Sequence, residues 1–578
     1  MNKKILLVIL FIAFILRFYK LSNIPAGFFF DEATVGVNSY FLSQNLHDEF
    51  GNFLPDFIKI GDDFRHVAIF YITTPFIKIL GLSEFAVRSA TAIFGVGIVV
   101  ATFLITNIIT NSKQVSLLAA FLVSVSPWLV NLSRSSNEVI VALFFLLVAD
   151  IFALLAFKKE TKMLFLPAYI FYLFSWFSYS AAILLNFLHL SFIVLIFLFF
   201  FKKSLSIKTA GLICLISFVI FPNLFYWLTS PQKIQGRFNQ VSVFAEKGTQ
   251  LLLEEAIRED GTRDSSRVLL TRFFHNKPNS YFSAITRSYS QYFSGQFLLG
   301  KEQLPVRYRI PNTTLIYPVE VLLLIFGLFI VVRKISWGGA FMVFWLLIGP
   351  VPAALTTEDT PNMQRAIFML PSLQIIIALG INGLIGYKGQ IYGFLKKTRS
   401  KNILIGFIAV IYFYYFASFM HQLLIHQPIN KIWYRNSEWK DGSLMIERFS
   451  KDYQDVVMTK GKTEPHYYLM FFSDDYRGQY EDGKEYLSNR NLSQTWDLGK
   501  YSFVHQDCIL PPVEKVKLGT LYINGQNCKI PNWARILAEA KTPDGVTMLT
   551  FIDIPLSQRQ LDELIRLEEE KRKQQNLL

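Results

Sequence analysis

From Met163 to Phe201 the chain carries no Asp, Glu, Lys or Arg. A stretch this apolar has few folded forms open to it. Backbone polar groups in hydrocarbon must be satisfied within the segment, which selects helix. A single crossing needs about 20 residues, so this run is too long for one span. It predicts a helical hairpin turning near Tyr179 and Ser180. Other apolar runs follow the same logic: Ile5–Leu16, Ala86–Ile109, Val115–Val130, Val139–Phe157, Thr209–Leu228, Tyr317–Val332, Trp337–Leu355, Ala366–Ile385 and Ile403–Leu424. Together they predict a polytopic α-helical membrane protein with about eleven transmembrane helices.

The formal net charge is +14, a value that could point to nucleic acid. The basic residues, however, fall in short clusters between apolar runs: Lys3-Lys4, Lys158-Lys159, Lys202-Lys203, Arg333-Lys334 and Lys388 to Lys401. That is the topology signal of a multi-pass protein, and it excludes nucleic acid as the partner. It predicts a plasma-membrane protein with a cytoplasmic N-terminus. No small-residue cleavage site follows the first run, so it reads as an uncleaved span ending in an interfacial collar, Arg17 to Lys20. Residues 1–425 then form the membrane domain, with large outer loops at 20–84 and 229–312. Residues 426–555 form a small extracytoplasmic α/β domain, and 556–578 a polar tail. Within the α/β domain, Asp455 to Thr459 reads as a strand. Arg535 to Lys541 and Val546 to Ile552 flank Pro543-Asp544-Gly545, a hairpin pattern. Cys508 and Cys528 pair if the compartment is oxidising and otherwise stay free. Cys214 lies in an apolar run and reads as packing.

Within the first outer loop, Asp31 and Glu32 follow three aromatics, Phe28-Phe29-Phe30. A carboxylate held against aromatics at a membrane surface is partly desolvated, which makes it a better proton acceptor. The plainer alternative is a loop acid or a helix cap. Arg88, Arg134 and Arg365 all fall near the outer boundary. Guanidinium groups at one depth suit an anionic head group such as a lipid phosphate; the alternative is snorkelling. Asp62, Asp63, Arg65 and His66 form a third candidate group, for acceptor contacts or a cation, against a simple solvated loop. His189, inside a predicted span, reads as a packed helix residue. The chain carries no nucleotide-binding motif and no metal-ligand spacing of Cys and His. An enzyme built this way would draw on an activated donor already in the membrane, and a polyprenyl-phosphate sugar meets that need. A lipid-linked sugar transporter or flippase is the rival reading, and a non-catalytic membrane scaffold a third.

Several of these residues lie in a pattern that resembles the GT-C membrane glycosyltransferases, in particular the protein O-mannosyltransferase and aminoarabinose-transferase group (glycosyltransferase family 39-like). The pattern is Phe30-Asp31-Glu32 after the first span, Gly81-Leu82-Ser83-Glu84-Phe85-Ala86-Val87-Arg88, Ser126-Pro127-Trp128 through Ser133-Arg134, and Pro361-Asn362-Met363-Gln364-Arg365-Ala366 with Leu370-Pro371. The resemblance implies transfer of a sugar from a polyprenyl-phosphate donor to an acceptor glycan, lipid or protein outside the cytoplasm. It implies Asp31 as the general base and Glu32 as its tuning or orienting partner. Arg88, Arg134 and Arg365 become donor-phosphate ligands. No metal ligand is assigned, although some members of this class use a divalent cation, Mg or Mn. Where other members carry a Lys-Pro or His-Pro pair, this chain has Arg65-His66-Val67-Ala68. Its C-terminal region does not resemble the β-trefoil repeats of the eukaryotic mannosyltransferases.

Overall fold

In the computed structural model, residues 2–60, 63–199, 201, 204–229, 241–245, 247–261, 268–333, 336–386, 398–430, 432–460, 464–487 and 496–575 are described. Asp62, Lys202-Lys203, Lys334 and most of the basic stretch 388–401 lie outside that set.

Each apolar run is helical. Among the described residues, seven helical segments are long and apolar enough to cross a membrane: Glu84–Thr110, Glu138–Lys159, Ala182–Phe199, Leu205–Pro222, Trp337–Ala354, Ile367–Ile385 and Asn402–His426. The remaining runs form shorter helices, Asn2–Phe18, Lys113–Val125, Phe165–Ser178 and Pro318–Arg333. Eleven full-length spans are therefore not reached by length alone. The shortfall at Lys113–Val125 has a local cause. Pro127 cannot donate, and Ser126 is extended, so the helix stops and a short one restarts at Pro127. The carbonyls freed at the break find distant donors. Arg17 Nη1 reaches Ser124 O at 3.2 Å, and the Tyr317 hydroxyl reaches Val125 O at 3.0 Å. Arg17 is thus fully buried rather than part of an interfacial collar.

In chain order the first helices are α1 (Asn2–Phe18), α2 (Phe30–Asn45), α3 (Ala68–Leu80), α4 (Glu84–Thr110), α5 (Lys113–Val125), α6 (Pro127–Leu132), α7 (Glu138–Lys159), α8 (Phe165–Ser178), α9 (Ala182–Phe199) and α10 (Leu205–Thr229). Polar side chains at their starts fix the boundaries. Ser83 caps α4, Ser112 caps α5 and Asn137 caps α7, each accepting from a first-turn N–H. Between α2 and α3 lies an antiparallel hairpin, β1 (Phe57–Ile60) and β2 (Asp63–His66), with Phe57 opposite His66.

The C-terminal region is a mixed six-stranded sheet in the order β4-β5-β3-β6-β8-β7. Its strands are β3 (Asp455–Thr459), β4 (Trp496–Leu498), β5 (Tyr501–Val504), β6 (Thr520–Asn524), β7 (Arg535–Lys541) and β8 (Thr547–Asp553). Strand β3 runs parallel to β5 and β6, and the other pairs are antiparallel. A disulfide joins Cys508 to Cys528. The helix Gln558–Gln575 follows the sheet.

This domain is continuous with the first outer loop. One apolar core joins Phe28, Ala33, Val37 and Phe41 of the loop to Trp439, Tyr468, Phe471 and Phe551 of the domain. Helix α2 and the helix Pro465–Phe472 approach closely at Gly36, where a Cβ would lie 2.4 Å from the Phe471 ring. Any side chain there would hold the two elements apart.

Candidate functional site

Helix α2 begins at Phe30, so Asp31 and Glu32 sit in its first turn. Successive residues on a helix point roughly 100° apart. The two acids therefore diverge. Asp31 faces a cavity of about 800 Å³, with its side chain 30% exposed and Arg65 Nη2 at 3.3 Å. Glu32 turns into the protein and is 1% exposed.

Glu32 is enclosed by donors. Arg88 Nε lies at 2.9 Å, Arg435 Nη2 at 2.5 Å, and the backbone N–H groups of Phe29 and Ser136 at 3.1 and 3.2 Å. Burial pushes the Glu32 carboxyl up, but Arg88 and Arg435 outweigh it and hold the group below the usual carboxylate range. An ionised Glu32 is thus a fixed counter-charge that anchors the start of α2. It does not line the cavity.

Arg88 and Arg134 have the same kind of employment. Arg88 donates to Leu21 O at 3.0 Å, Ser22 O at 3.1 Å and Gly27 O at 2.6 Å, besides its pair with Glu32. Arg134 donates to Leu16 O at 2.6 Å and to Tyr19 O and Ile24 O, both at 2.8 Å. These carbonyls belong to the end of α1 and the loop after it, where the chain has run out of intrahelical donors. Both side chains are buried and neither lines the cavity. Of the three Arg residues expected to meet one head group, Arg365 lines this cavity and Arg88 and Arg134 do not.

Arg365 does line the cavity. It is held by Thr356 Oγ1 at 2.7 Å, Glu358 O at 3.0 Å and Glu358 Oε2 at 2.6 Å. A second guanidinium, Arg307, stands in the same lining. It lies 3.6 Å from Asp359 Oδ2 and stacks over the rings of Phe29 and Tyr308 at 5.0 and 5.2 Å from their centroids. Glu358 and Asp359 are neighbours, so one loop brings the two Arg residues to one end of the cavity. Each of these two guanidiniums is thus matched by a carboxylate of the same loop.

On the hairpin, Arg65 and His66 line the cavity, while Asp63 lies behind them, 3.6 Å from Arg65 Nε. Asp62 lies outside the described residues. Arg65 sits in the field of Asp31, Glu138 and Asp63, which raises its proton affinity against the effect of burial. Burial, with Arg65 beside it, holds His66 down at about 4, so its imidazole is neutral near pH 7. Asn137 and Glu138, at the start of α7, complete the polar lining, and Gln364 Nε2 donates to Asn137 Oδ1 at 3.1 Å. Trp176, Ile183, Leu184, Phe187, Phe218 and Pro222 of α8, α9 and α10 contribute apolar lining. The lining thus combines charged and polar side chains with a large apolar share. Among the described residues no three His, Cys, Asp or Glu side chains gather in a set that could hold a metal ion.

Arg307, Glu138 and Arg435 were not singled out from the sequence. For two of them a signal existed. Arg307 and Arg435 are basic residues in segments that the charge pattern puts outside, against the prevailing bias.

Residues 7–230 match the sequence pattern of the dolichyl-phosphate-mannose-protein mannosyltransferase family. No curated protein matches the chain in sequence. In structure it is similar to ArnT from Cupriavidus metallidurans bound to undecaprenyl phosphate, at a TM-score of 0.51 and 10% identity, over 94% of this chain and 97% of that one. At that identity the likeness is one of fold. It also aligns with the archaeal oligosaccharyltransferase AglB from Archaeoglobus fulgidus, in complex with an inhibitory peptide and a dolichol-phosphate, at a TM-score of 0.45 and 12% identity. That alignment covers 82% of this chain but 63% of AglB, so the chain spans less than two thirds of that protein.

Proposed function

We propose that the protein is a multi-pass membrane glycosyltransferase of the GT-C type. It would move a sugar from a polyprenyl-phosphate donor to a hydroxyl acceptor on the extracytoplasmic face of the plasma membrane. The observation that carries this reading is the composition of one cavity. A carboxylate, Asp31, and two guanidiniums, Arg307 and Arg365, share it with an apolar wall built from membrane-crossing helices. A lipid phosphate sugar has matching parts: a greasy tail, an anionic link and a neutral sugar. The family pattern over residues 7–230 and the undecaprenyl phosphate bound by ArnT support the same donor class.

In this reading Asp31 accepts the proton of the acceptor hydroxyl as its oxygen attacks the anomeric carbon. The bond from that carbon to the phosphate oxygen breaks, and polyprenyl phosphate leaves with one more negative charge than it had as a diester. Arg307 and Arg365 would meet that charge in a site screened from water. Arg65, its Nη2 3.3 Å from Asp31 Oδ1, would hold the carboxylate in orientation between turnovers. His66, neutral and beside it, would contact the acceptor, with Asp63 holding Arg65 in place. Glu32, Arg88 and Arg134 would act at one remove, by fixing the loop that presents Asp31. The N-terminus would be cytoplasmic and the C-terminal domain outside.

The test uses purified protein in lipid nanodiscs with radiolabelled polyprenyl-phosphate sugars and a crude envelope fraction as acceptor. Asp31→Asn should lose about 10²–10⁴ in transfer rate while still binding undecaprenyl phosphate. Equal transfer by both proteins would remove Asp31 as the base. Absence of transfer with every donor, together with movement of lipid phosphate across vesicles, would favour a carrier.

A further inference from the structure

We propose that Arg435, far outside the segment that carries the family pattern, is a positioning residue of this site. Its guanidinium fixes the main chain of Arg307 and so sets the anion-binding end of the cavity. The proposal rests on the function given above.

Arg435 closes a short 3-10 turn, Ile432–Arg435, between the last membrane helix and the C-terminal domain. It is 3% exposed. All three of its nitrogens are engaged with other parts of the chain. Nε donates to Ala26 O at 3.0 Å, Nη1 to Arg307 O at 2.9 Å and Nη2 to Glu32 Oε2 at 2.5 Å. The three partners come from the approach to α2, from α2 itself and from the loop that bears Arg307. One planar fork therefore joins the segment presenting Asp31 to the segment presenting Arg307.

The contact is built to be close. Gly27 has φ +76°, and a Cβ there would lie 2.8 Å from both Cβ and O of Arg435. Only glycine fits that backbone and that approach. On the far side, Arg88 holds Glu32 and the Gly27 carbonyl at once. The order Arg88, Glu32, Arg435, Arg307 carbonyl is thus an unbroken run of charge-assisted bonds. Arg365 stands apart from it, held by Thr356 and Glu358.

A lysine at 435 separates charge from position. It keeps a cation beside Glu32, so the buried carboxylate is not stranded, but one ammonium cannot reproduce the three-way fork. The C-terminal domain is then an integral part of the site, since its entry segment sets an active-site Arg.

The experiment measures binding of radiolabelled undecaprenyl phosphate to the full-length protein in phosphatidylglycerol–phosphatidylcholine nanodiscs, alongside thermal melts. Arg435→Lys should melt somewhat below wild type, stay fully folded at the assay temperature and weaken binding about tenfold, the scale of one charge-assisted hydrogen bond. Arg307→Ala should weaken binding by at least as much. The double variant should bind no worse than Arg307→Ala alone, because Arg435 acts through Arg307. Arg435→Lys combined with Arg365→Ala should instead lose the product of the two factors. Independent losses for Arg435 and Arg307, or unaltered binding by Arg435→Lys, would overturn the inference while leaving the function standing. No binding by wild type would overturn both.

Discussion

Replacing Glu49 with Gln should make the joint between the outer loop and the C-terminal domain less sensitive to alkali. Glu49 is fully buried there. The Tyr467 hydroxyl donates to its Oε1 at 2.6 Å, and Asn38 Nδ2 lies at 3.4 Å. Its Oε2 has no hydrogen-bond partner, and His466 Nε2 is 4.0 Å away. Burial, with Lys460 nearby, holds His466 down at about 3, so it supplies no positive charge. Burial of Glu49 itself pushes its carboxyl up to about 8, with a smaller push from Asp48. The unfolded chain releases this proton near 4.3, so the native state binds more protons between about 4.3 and 8. Stability must therefore fall as pH rises through that window and level off above it. At about 1.4 kcal/mol per pKa unit, wild type should lose about 2–3 kcal/mol from roughly pH 6 to pH 9 through this group. Glutamine keeps the shape and an acceptor for Tyr467 but carries no titrating proton. The difference between Glu49→Gln and wild type should thus grow by that amount, in favour of the variant. Melting followed by tryptophan emission reads it, because Trp439 stacks on Tyr468 beside the joint. Parallel pH profiles for the two proteins would refute the reasoning.

Glu32→Gln leaves Arg88 and Arg435 buried without their counter-charge, and should cost about 3–5 kcal/mol, seen as a lower thermal midpoint; an unchanged midpoint would show that the pair is dispensable. Cys508→Ser opens a disulfide that spans 20 residues, and should destabilise the C-terminal domain by about 3 kcal/mol, with faster proteolysis there than in the membrane region. Gly36→Val drives a side chain into Phe471 and should cost about 1–3 kcal/mol, accompanied by faster hydrogen exchange in the helix Pro465–Phe472.

The apolar runs, the strand at Asp455–Thr459 and the hairpin around Asp544 were readable from the chain because hydrophobic period and turn chemistry act over a few residues. The break at Pro127 was equally local, yet its consequence for Arg17 was not. Asp31 and Glu32 could be found by their adjacency, but not told apart. Which acid meets the cavity depends on what packs against each side of α2, and that includes residues some 400 positions away in sequence. Arg88 and Arg134 show the same limit. A cation at a membrane boundary looks identical in sequence whether it faces a lipid phosphate or the bare carbonyls at a helix end. Arg307 and Arg435 carry no local mark of their partners, since Glu32 and Arg435 are 403 residues apart and Arg307 and Arg435 are 128 apart. Local pattern decided the apolar helices and three of the strands. The pairing of charges was left to tertiary packing, because burial decides which ions need a partner and only the folded chain brings that partner within reach.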